Sequence, residues 1–379
     1  MRYLCPTIAI LATIPGVTNA ATITVPTDIP TIQAAIDIAL DGDVILVEPG
    51  NYVAFDVSFQ GKAITLRGST DADGLPTSVL SSQGTGQVMY FVFTEGLDTV
   101  IENLVITQSG GNQAAVGVFG GSPTFNNITF RENTSALGGA VYNLNGAPHF
   151  TDCRFIDNSG DWGGAYACWE TGQPEHPVFT RCLFEGNSAD LGGAFANLRS
   201  QPMITECQFI NNAATSNGGA FYNDGDSCCS QWEGNPILVD CIFDGNSAGD
   251  SGGAVYNSQF GLPTMERCTL QNNSAVVSGG GMASESTNVP TLVDCSICAN
   301  TGTPSQVSGP WTDGGGNAID NACPVECVGD LDDSGAVDVD DLLRLLSAFE
   351  LNGDGDCDDD GDTDVNDLLV LIGRWGACP

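Results

Sequence analysis

The sequence predicts a mainly-β chain wound into a parallel solenoid, and three observations carry that reading. The first is a recurring block: Pro, an apolar position, Cys-x-Phe-x-x-Asn, a few residues, then Gly-Gly-Ala or Gly-Gly-Gly. Pro148–Ala165, Pro177–Ala194, Pro202–Ala220, Pro236–Ala254 and Pro263–Gly281 are copies, Pro123–Ala140 carries Ile128 in the Cys place, and Pro290–Asn300 starts another and departs from it. The Asn of each falls at Asn133, Asn158, Asn187, Asn212, Asn246, Asn273 and Asn300, in steps of 25, 29, 25, 34, 27 and 27 residues. A period in that range means that each unit stacks on its neighbour and cannot bury its own face alone. The second observation is strand spacing in each block, as in Val178-Phe-Thr-Arg-Cys-Leu-Phe184, where Val178, Cys182 and Phe184 alternate with one offset. The third is the Gly-Gly pair, which permits a sharp bend or a close backbone approach before the next short apolar run.

Stacked coils repeat at the strand spacing of roughly 4.8 Å, so equivalent residues form columns. The Phe and Cys columns are expected inside. The Asn column is expected at a turn, each amide bonded to the coils above and below. Ligand contact is the other reading of those Asn residues, but their common register favours turn-holding. Earlier in the chain, residues 43–47, 63–66 and 100–106 read as strands of preceding coils. Ile32, Ala35, Ile36 and Ala39 share one helical face with Thr31 as N-cap, so a helix should cover the first coil and its unpaired edges.

The segments Thr27-Asp-Ile-Pro-Thr-Ile-Gln-Ala-Ala-Ile36 and Gly42-Asp-Val-Ile-Leu-Val-Glu-Pro-Gly-Asn-Tyr52 resemble the opening of pectin-lyase-like right-handed β-helix proteins. The pairing of Phe155–Asn158 with Gly163–Ala165 resembles the repeats of chlamydial polymorphic outer-membrane proteins. Together these cover about residues 24–320. They imply a right-handed parallel β-helix and, through the second family, a bacterial surface or adhesin role.

Residues 1–20 read as a secretory leader: Arg2, an apolar stretch from Ile8 to Pro15, and a small-residue cleavage site at Thr18-Asn19-Ala20. That stretch and every later one are too short to span a bilayer. The expected boundaries are therefore leader 1–20, β-helix 21–322 and a C-terminal module 323–379, in a secreted bacterial protein. Acidic residues outnumber basic ones 47 to 10, which disfavours nucleic acid and anionic lipid as partners, and polyanionic sugars unless calcium bridges them.

Six cysteines, Cys153, Cys182, Cys207, Cys241, Cys268 and Cys295, occupy one repeat position. In-register side chains hold their Cβ atoms about 4.8 Å apart, beyond ordinary disulfide reach, so buried thiols are expected despite the secreted context. Disulfides are expected instead among Cys168, Cys228 and Cys229, and among Cys298, Cys323, Cys327, Cys357 and Cys378.

After Cys327 the composition turns acidic, with fifteen Asp or Glu and two Arg in residues 330–379. Two segments there match, Asp330–Leu342 and Asp356–Leu368. Each places oxygen donors at loop positions 1, 3, 5, 9 and 12 and Gly at position 6, the spacing of an EF-hand-like calcium loop. The first set is Asp330, Asp332, Ser334, Asp338 and Asp341 with the Ala336 carbonyl. The second is Asp356, Asp358, Asp360, Asp364 and Asp367 with the Asp362 carbonyl. Helices are expected over Leu342–Phe349 and Leu368–Trp375. Asp at position 12 and the lack of a preceding helix make residues 328–376 resemble a dockerin, which implies calcium as cofactor and a cohesin-like or other cell-surface partner. Loop positions 10 and 11 are Val339-Asp340 and Val365-Asn366 rather than the family's frequent Ser-Thr, a departure from its usual cohesin-selecting pair.

A lyase needs a basic residue for proton abstraction, and a glycosidase needs two carboxylates across the sugar bond. Of the basic residues, Arg131, Arg154, Arg181 and Arg267 sit on the repeated strand or its turn, and His149 and His176 neighbour the repeat Pro. From the second Gly to the next repeat Pro the coils run 9, 13, 9, 17, 10 and 10 residues. The two long excursions leave at one place and are expected to form walls, with Trp169, Glu170, Trp232 and Glu233 around Arg199, suited to carbohydrate. Loops tied by Cys168 to Cys228 or Cys229 are the structural alternative. The leading expectation is a non-catalytic adhesion or binding scaffold for carbohydrate or protein. The alternative is a polysaccharide lyase or glycoside hydrolase of extracellular polysaccharide catabolism.

Overall fold

The computed structural model describes residues 20–92, 94–169, 176–225, 234–286, 288–323, 329–332, 334, 336–349, 355–357 and 363–377. The expected leader lies outside them apart from Ala20. The chain divides into two compact units, residues 1–321 and 322–379.

The first unit is a parallel solenoid with sheets of twelve, eleven, ten and six strands. One coil shows the plan: Val178–Thr180, Leu183–Glu185, Ser188–Ala189 and Phe195–Leu198 enter four different sheets in turn. Each strand pairs in register with its equivalent in the coils before and after, so like side chains stack. Phe155, Phe184, Phe209 and Phe243 form one such column, with ring centroids 4.6 to 4.7 Å apart and planes within 3°. All four rings are fully buried. Each removes most of its apolar surface from water, a contribution of about 2–3 kcal/mol per ring.

Each block turns out to hold two strands where the sequence pattern reads as one alternating run. Ile237–Val239 and Ile242–Asp244 are separated by a corner at Asp240 with φ of 54°. The same left-handed corner recurs at Asp152, Arg181, Glu206, Arg267 and Asp294, with φ between 51° and 54° or at 55°. The corner resets which side chains face inward. In the Val178 copy, Phe179, Cys182 and Phe184 are buried, and Val178 is only half-buried. A second left-handed residue precedes the ladder Asn, and the first Gly of each Gly-Gly pair is a third, as at Gly192 (φ 64°). The second Gly is required by space: a Cβ on Gly193 would lie 2.1 Å from the Gly219 carbonyl oxygen.

The Asn column holds the turn as expected. Asn187 Nδ2 donates to the Phe155 carbonyl at 2.9 Å and to Asn212 Oδ1 at 2.9 Å. Its own Oδ1 accepts from the backbone N and Nδ2 of Asn158, at 3.0 Å each. The pattern continues from Asn133 to Asn300, all buried. A buried amide left unpaired costs about 1–3 kcal/mol, so these polar groups are tolerated inside because the ladder satisfies them.

The six column cysteines are buried thiols. Five of them lean on a carbonyl of the preceding coil, as Cys182 Sγ does on Phe150 O at 3.6 Å and Cys295 Sγ on Met265 O at 3.3 Å, and Cys207 Sγ donates to Thr205 O of its own coil at 3.3 Å. Burial pushes the Cys182 and Cys207 thiols up, so they stay protonated and inert. Cys298 and Cys323 are disulfide-bonded. Two expected disulfide cysteines are thiols instead. Cys168 lies in the strand Tyr166–Trp169, faces the core, and donates to Asn197 Oδ1 at 2.9 Å. Cys357 donates to Gly355 O at 3.4 Å. Cys228 and Cys229 lie outside the described residues.

Helix α1 (Ile32–Ile38) caps the solenoid with Ile32, Ala35 and Ile36 buried and Thr31 as N-cap. Lys62, the only lysine, closes its other end: Nζ donates to the carbonyls of Ile36 at 2.6 Å and Asp37 at 2.9 Å.

The second unit holds helices α2 (Val339–Ala348) and α3 (Val365–Gly373) around buried Val337, Leu345 and Leu371. Both helices begin three residues earlier than the sequence pattern indicates, because Asp338 and Asp364 act as N-caps in complete capping boxes. Among the described residues no helix is long and apolar enough to cross a membrane.

Candidate functional site

In the first calcium-type loop, Asp330, Asp332 and Asp341 offer carboxylate oxygens that all lie within 4.8 Å of one another. Asp341 is fully buried. Its Oδ1 accepts from the backbone N of Leu331 at 2.7 Å and Asp332 at 3.1 Å, and its Oδ2 from Asp338 N at 2.8 Å. The Ser334 backbone N closes the loop onto Asp330 Oδ1 at 3.0 Å and Asp332 Oδ1 at 3.1 Å, and its hydroxyl donates to Ala336 O at 3.2 Å. Asp338 is held as helix cap, its side chain accepting from Asp340 N at 2.8 Å.

The second loop repeats what is described of this pattern. Asp367 is fully buried and accepts from Cys357 N at 2.5 Å and Asp364 N at 2.6 Å, and Asp364 accepts from Asn366 N at 2.6 Å. Asp356 is described; Asp358, Asp360 and Asp362 lie outside the described residues. The residues present fit a hard divalent cation. Oxygen donors alone line the first loop, and three carboxylates this close repel one another unless a cation sits among them.

The duplication extends to the helix surfaces. Val339, Leu343 and Leu346 on α2, and Val365, Leu369 and Ile372 on α3, are equivalent in the repeat, and each is more than half exposed. They form matching apolar stripes at i, i+4 and i+7.

On the solenoid, two of the five groove residues come together. Arg199 Cζ lies 5.4 Å from the ring centroid of Trp169, which is 38% exposed. Glu170, Trp232 and Glu233 lie outside the described residues. Trp169, Leu198 and Asp224 are in register on the ten-stranded sheet. Tyr222 and Tyr256 stack one coil apart, with centroids 5.8 Å apart. Tyr256 OH and Ser258 Oγ both donate to Glu285 Oε1 at 3.3 Å. Burial, and secondly the Glu285 charge, push the Asp224 carboxyl up against the pull of Tyr222 and Arg199. The sequence pattern singles out neither Asp224 nor Tyr222, Tyr256, Ser258 and Glu285. The signal was the repeat itself: Trp169, Asp224, Ser258 and Glu285 each follow the last residue of the equivalent short apolar run.

Four of the basic side chains make exposed ion pairs: Arg67 with Glu102, Arg131 with Glu132, Arg181 with Asp152, and Arg267 with Asp240 and Glu266. His149 opens the strand His149–Thr151 and is half-buried there.

The family described as right handed beta helix region matches residues 78–228, and the Chlamydia polymorphic membrane protein repeat matches residues 240–258. No curated protein matches the chain in sequence. Among solved structures, pectate lyase Pel9A is 16% identical with a TM-score of 0.50, covering 86% of this chain and 86% of that one. An alginate lyase, AlyF-OU02 in complex with G6, is 14% identical with a TM-score of 0.46 over 79% of this chain and 62% of that one. The pectin methylesterase PemA from Erwinia chrysanthemi is 11% identical with a TM-score of 0.42 over 71% of this chain and 93% of that one. The fold is thus a right-handed β-helix. Likeness at these identities is one of fold, not of activity.

Proposed function

We propose that this chain is a secreted bacterial surface protein whose β-helix binds a glycan or protein without turning it over, and whose second unit is a dockerin-like calcium module. The observation that carries the binding role is the row on the ten-stranded sheet: Trp169 under Arg199, then Asp224, Tyr222, Tyr256 and Glu285. Aromatic faces beside fixed polar groups suit sugar rings and their hydroxyls. The non-catalytic part is supported by what the basic residues do. Lys62 closes helix α1, and Arg67, Arg131, Arg181 and Arg267 are ion-paired. A glycan array with the intact protein tests the binding role. Binding should fall at least tenfold in a Trp169→Ala, Tyr256→Ala double variant, and unchanged binding would remove this row as the site.

Calcium would be held in the first loop by Asp330, Asp332, Ser334, Asp338 and Asp341 with the Ala336 carbonyl. In the second it would be held by Asp356, Asp358, Asp360, Asp364 and Asp367 with the Asp362 carbonyl. The ion would supply the positive charge that joins each loop to its helix. The apolar stripes on α2 and α3 would then dock a cohesin-like or other cell-surface protein. Calcium titration calorimetry should show two sites in the intact chain and one in Asp332→Ala.

One observation favours glycoside hydrolysis as a second reading. Asp224 has a raised pKa and Glu285 lies two coils along the same column, about 10 Å away by backbone spacing. Release of reducing ends from neutral polysaccharides, lost in Asp224→Asn, would put this reading first.

A further inference from the structure

The solenoid carries six arginines, Arg67, Arg131, Arg154, Arg181, Arg199 and Arg267. Four make the carboxylate pairs described above, and Arg199 lies over Trp169. Arg154 differs from all of them. Its Nε is buried and has no hydrogen-bond partner, and its guanidinium makes no ion pair with a described residue. Acidic residues outnumber basic ones 47 to 10 in this chain, so a carboxylate partner was easy to supply, and none is present among the described residues.

Arg154 lines a depression of about 260 Å³ with Asp152, Arg181, Leu183, Glu206 and Gln208. The fold explains why these six meet. Asp152, Arg181 and Glu206 are the left-handed corners of three successive coils. Arg154, Leu183 and Gln208 are the in-register strand residues two positions later. Arg181 is fixed by Asp152 through Nε–Oδ1 at 2.8 Å and Nη2–Oδ2 at 3.0 Å. That fork uses one edge of the guanidinium and leaves the Nη1 hydrogens.

We propose that Arg154 and Arg181 form a recognition site for a single carboxylate on a sugar-sized molecule. A planar guanidinium matches a carboxylate through two parallel hydrogen bonds, and among the described residues no carboxylate occupies the Arg154 guanidinium or the Nη1 hydrogens of Arg181. Gln208 offers an amide to a ring hydroxyl, and Leu183 an apolar surface to the ring. Asp152 and Glu206 flank the depression, and the chain carries a net charge of −37. They repel a second negative charge, so a polyuronate is excluded and a monocarboxylate is selected. The site lies on the eleven-stranded sheet, away from the Trp169 row on the ten-stranded one, and does not rest on that row's function.

The test is a ligand-observed NMR titration of the full chain at low ionic strength, with D-glucuronate as probe and D-glucose as its uncharged match. Glucuronate should bind at least tenfold tighter than glucose. Arg154→Gln should remove that preference with the unfolding midpoint unchanged. Asp152→Asn, which releases Arg181, should tighten glucuronate binding severalfold. Equal binding of the two sugars, or a preference that survives in Arg154→Gln, would overturn the proposal.

Discussion

The two units of this chain solve the same problem differently. The solenoid buries separate columns of Phe, Cys and Asn side chains, and each coil is completed by its neighbours. Among its described residues the second unit has three fully buried apolar side chains in its core, Val337, Leu345 and Leu371, and also buries two carboxylates, Asp341 and Asp367. A unit as short as residues 322–379 is marginal without a staple, and a structural metal is one such staple. The difference teaches where to look for a cation requirement: in the unit that gathers three carboxylates within 4.8 Å of one another, and not in the solenoid, whose buried carboxylates Asp43 and Glu95 each accept from two backbone amides.

The sharpest way to break the solenoid half of this comparison is a single methyl group. In Gly193→Ala the new Cβ would sit 2.1 Å from Gly219 O and 2.7 Å from the Ala213 backbone. Neither can move without opening the ladder, so denaturant unfolding should show a loss of about 3 kcal/mol or more. Gly96→Ala, with nothing within 4 Å, should stay within about 0.5 kcal/mol. Asn212→Ala should cost about 2–4 kcal/mol in the same assay, since Asn187 N, Asn187 Nδ2 and Phe184 O would lose buried partners together.

Acid should act next, and locally. Asp43 accepts from Leu40 N and Ala21 N at 2.8 Å each, and these bonds hold its carboxyl below the usual carboxylate range. Its folded pKa is depressed, so its contribution is present above the unfolded value of about 3.9 and is lost as pH falls through the folded one. Hydrogen exchange at the Ala21 and Leu40 amides should therefore accelerate below about pH 4, beyond the intrinsic pH effect. In Asp43→Asn that excess should vanish. The smallest effect belongs to the exposed corner pairs. Arg267→Gln removes exposed contacts to Asp240 and Glu266 and should leave the unfolding midpoint nearly unchanged.

Much of the solenoid was legible because its constraints repeat. The Asn register, the Gly-Gly pair and the cap of Ile32, Ala35 and Ile36 each follow from a spacing that one principle reads. The corner at Asp152, Arg181 or Asp240 was not legible, because a left-handed residue that is not glycine leaves no fixed residue type in the pattern. Missing it merged two strands into one run and set Val178 on one alternation with Cys182 and Phe184. Cys168 was misread because a loop was assigned where the register with Asn143 and Asn197 makes a strand. The spacing of Asp330, Asp332 and Asp341 was legible, but the helix starts were not. The Asp at loop position 9 doubles as N-cap, and a ligand pattern alone does not show that second role. On the solenoid surface Trp169 and Arg199 were found through chain length, while Asp224 and Glu285 needed the columns to be aligned first.

The account rests most on the claim that calcium stabilises one unit and not the other, and differential scanning calorimetry of the full chain tests it most directly. The prediction is two transitions, of which chelator lowers only the one belonging to residues 322–379, with loss of α2 and α3 helicity. A trace unchanged by chelator, or a solenoid transition that moves with it, would contradict the account.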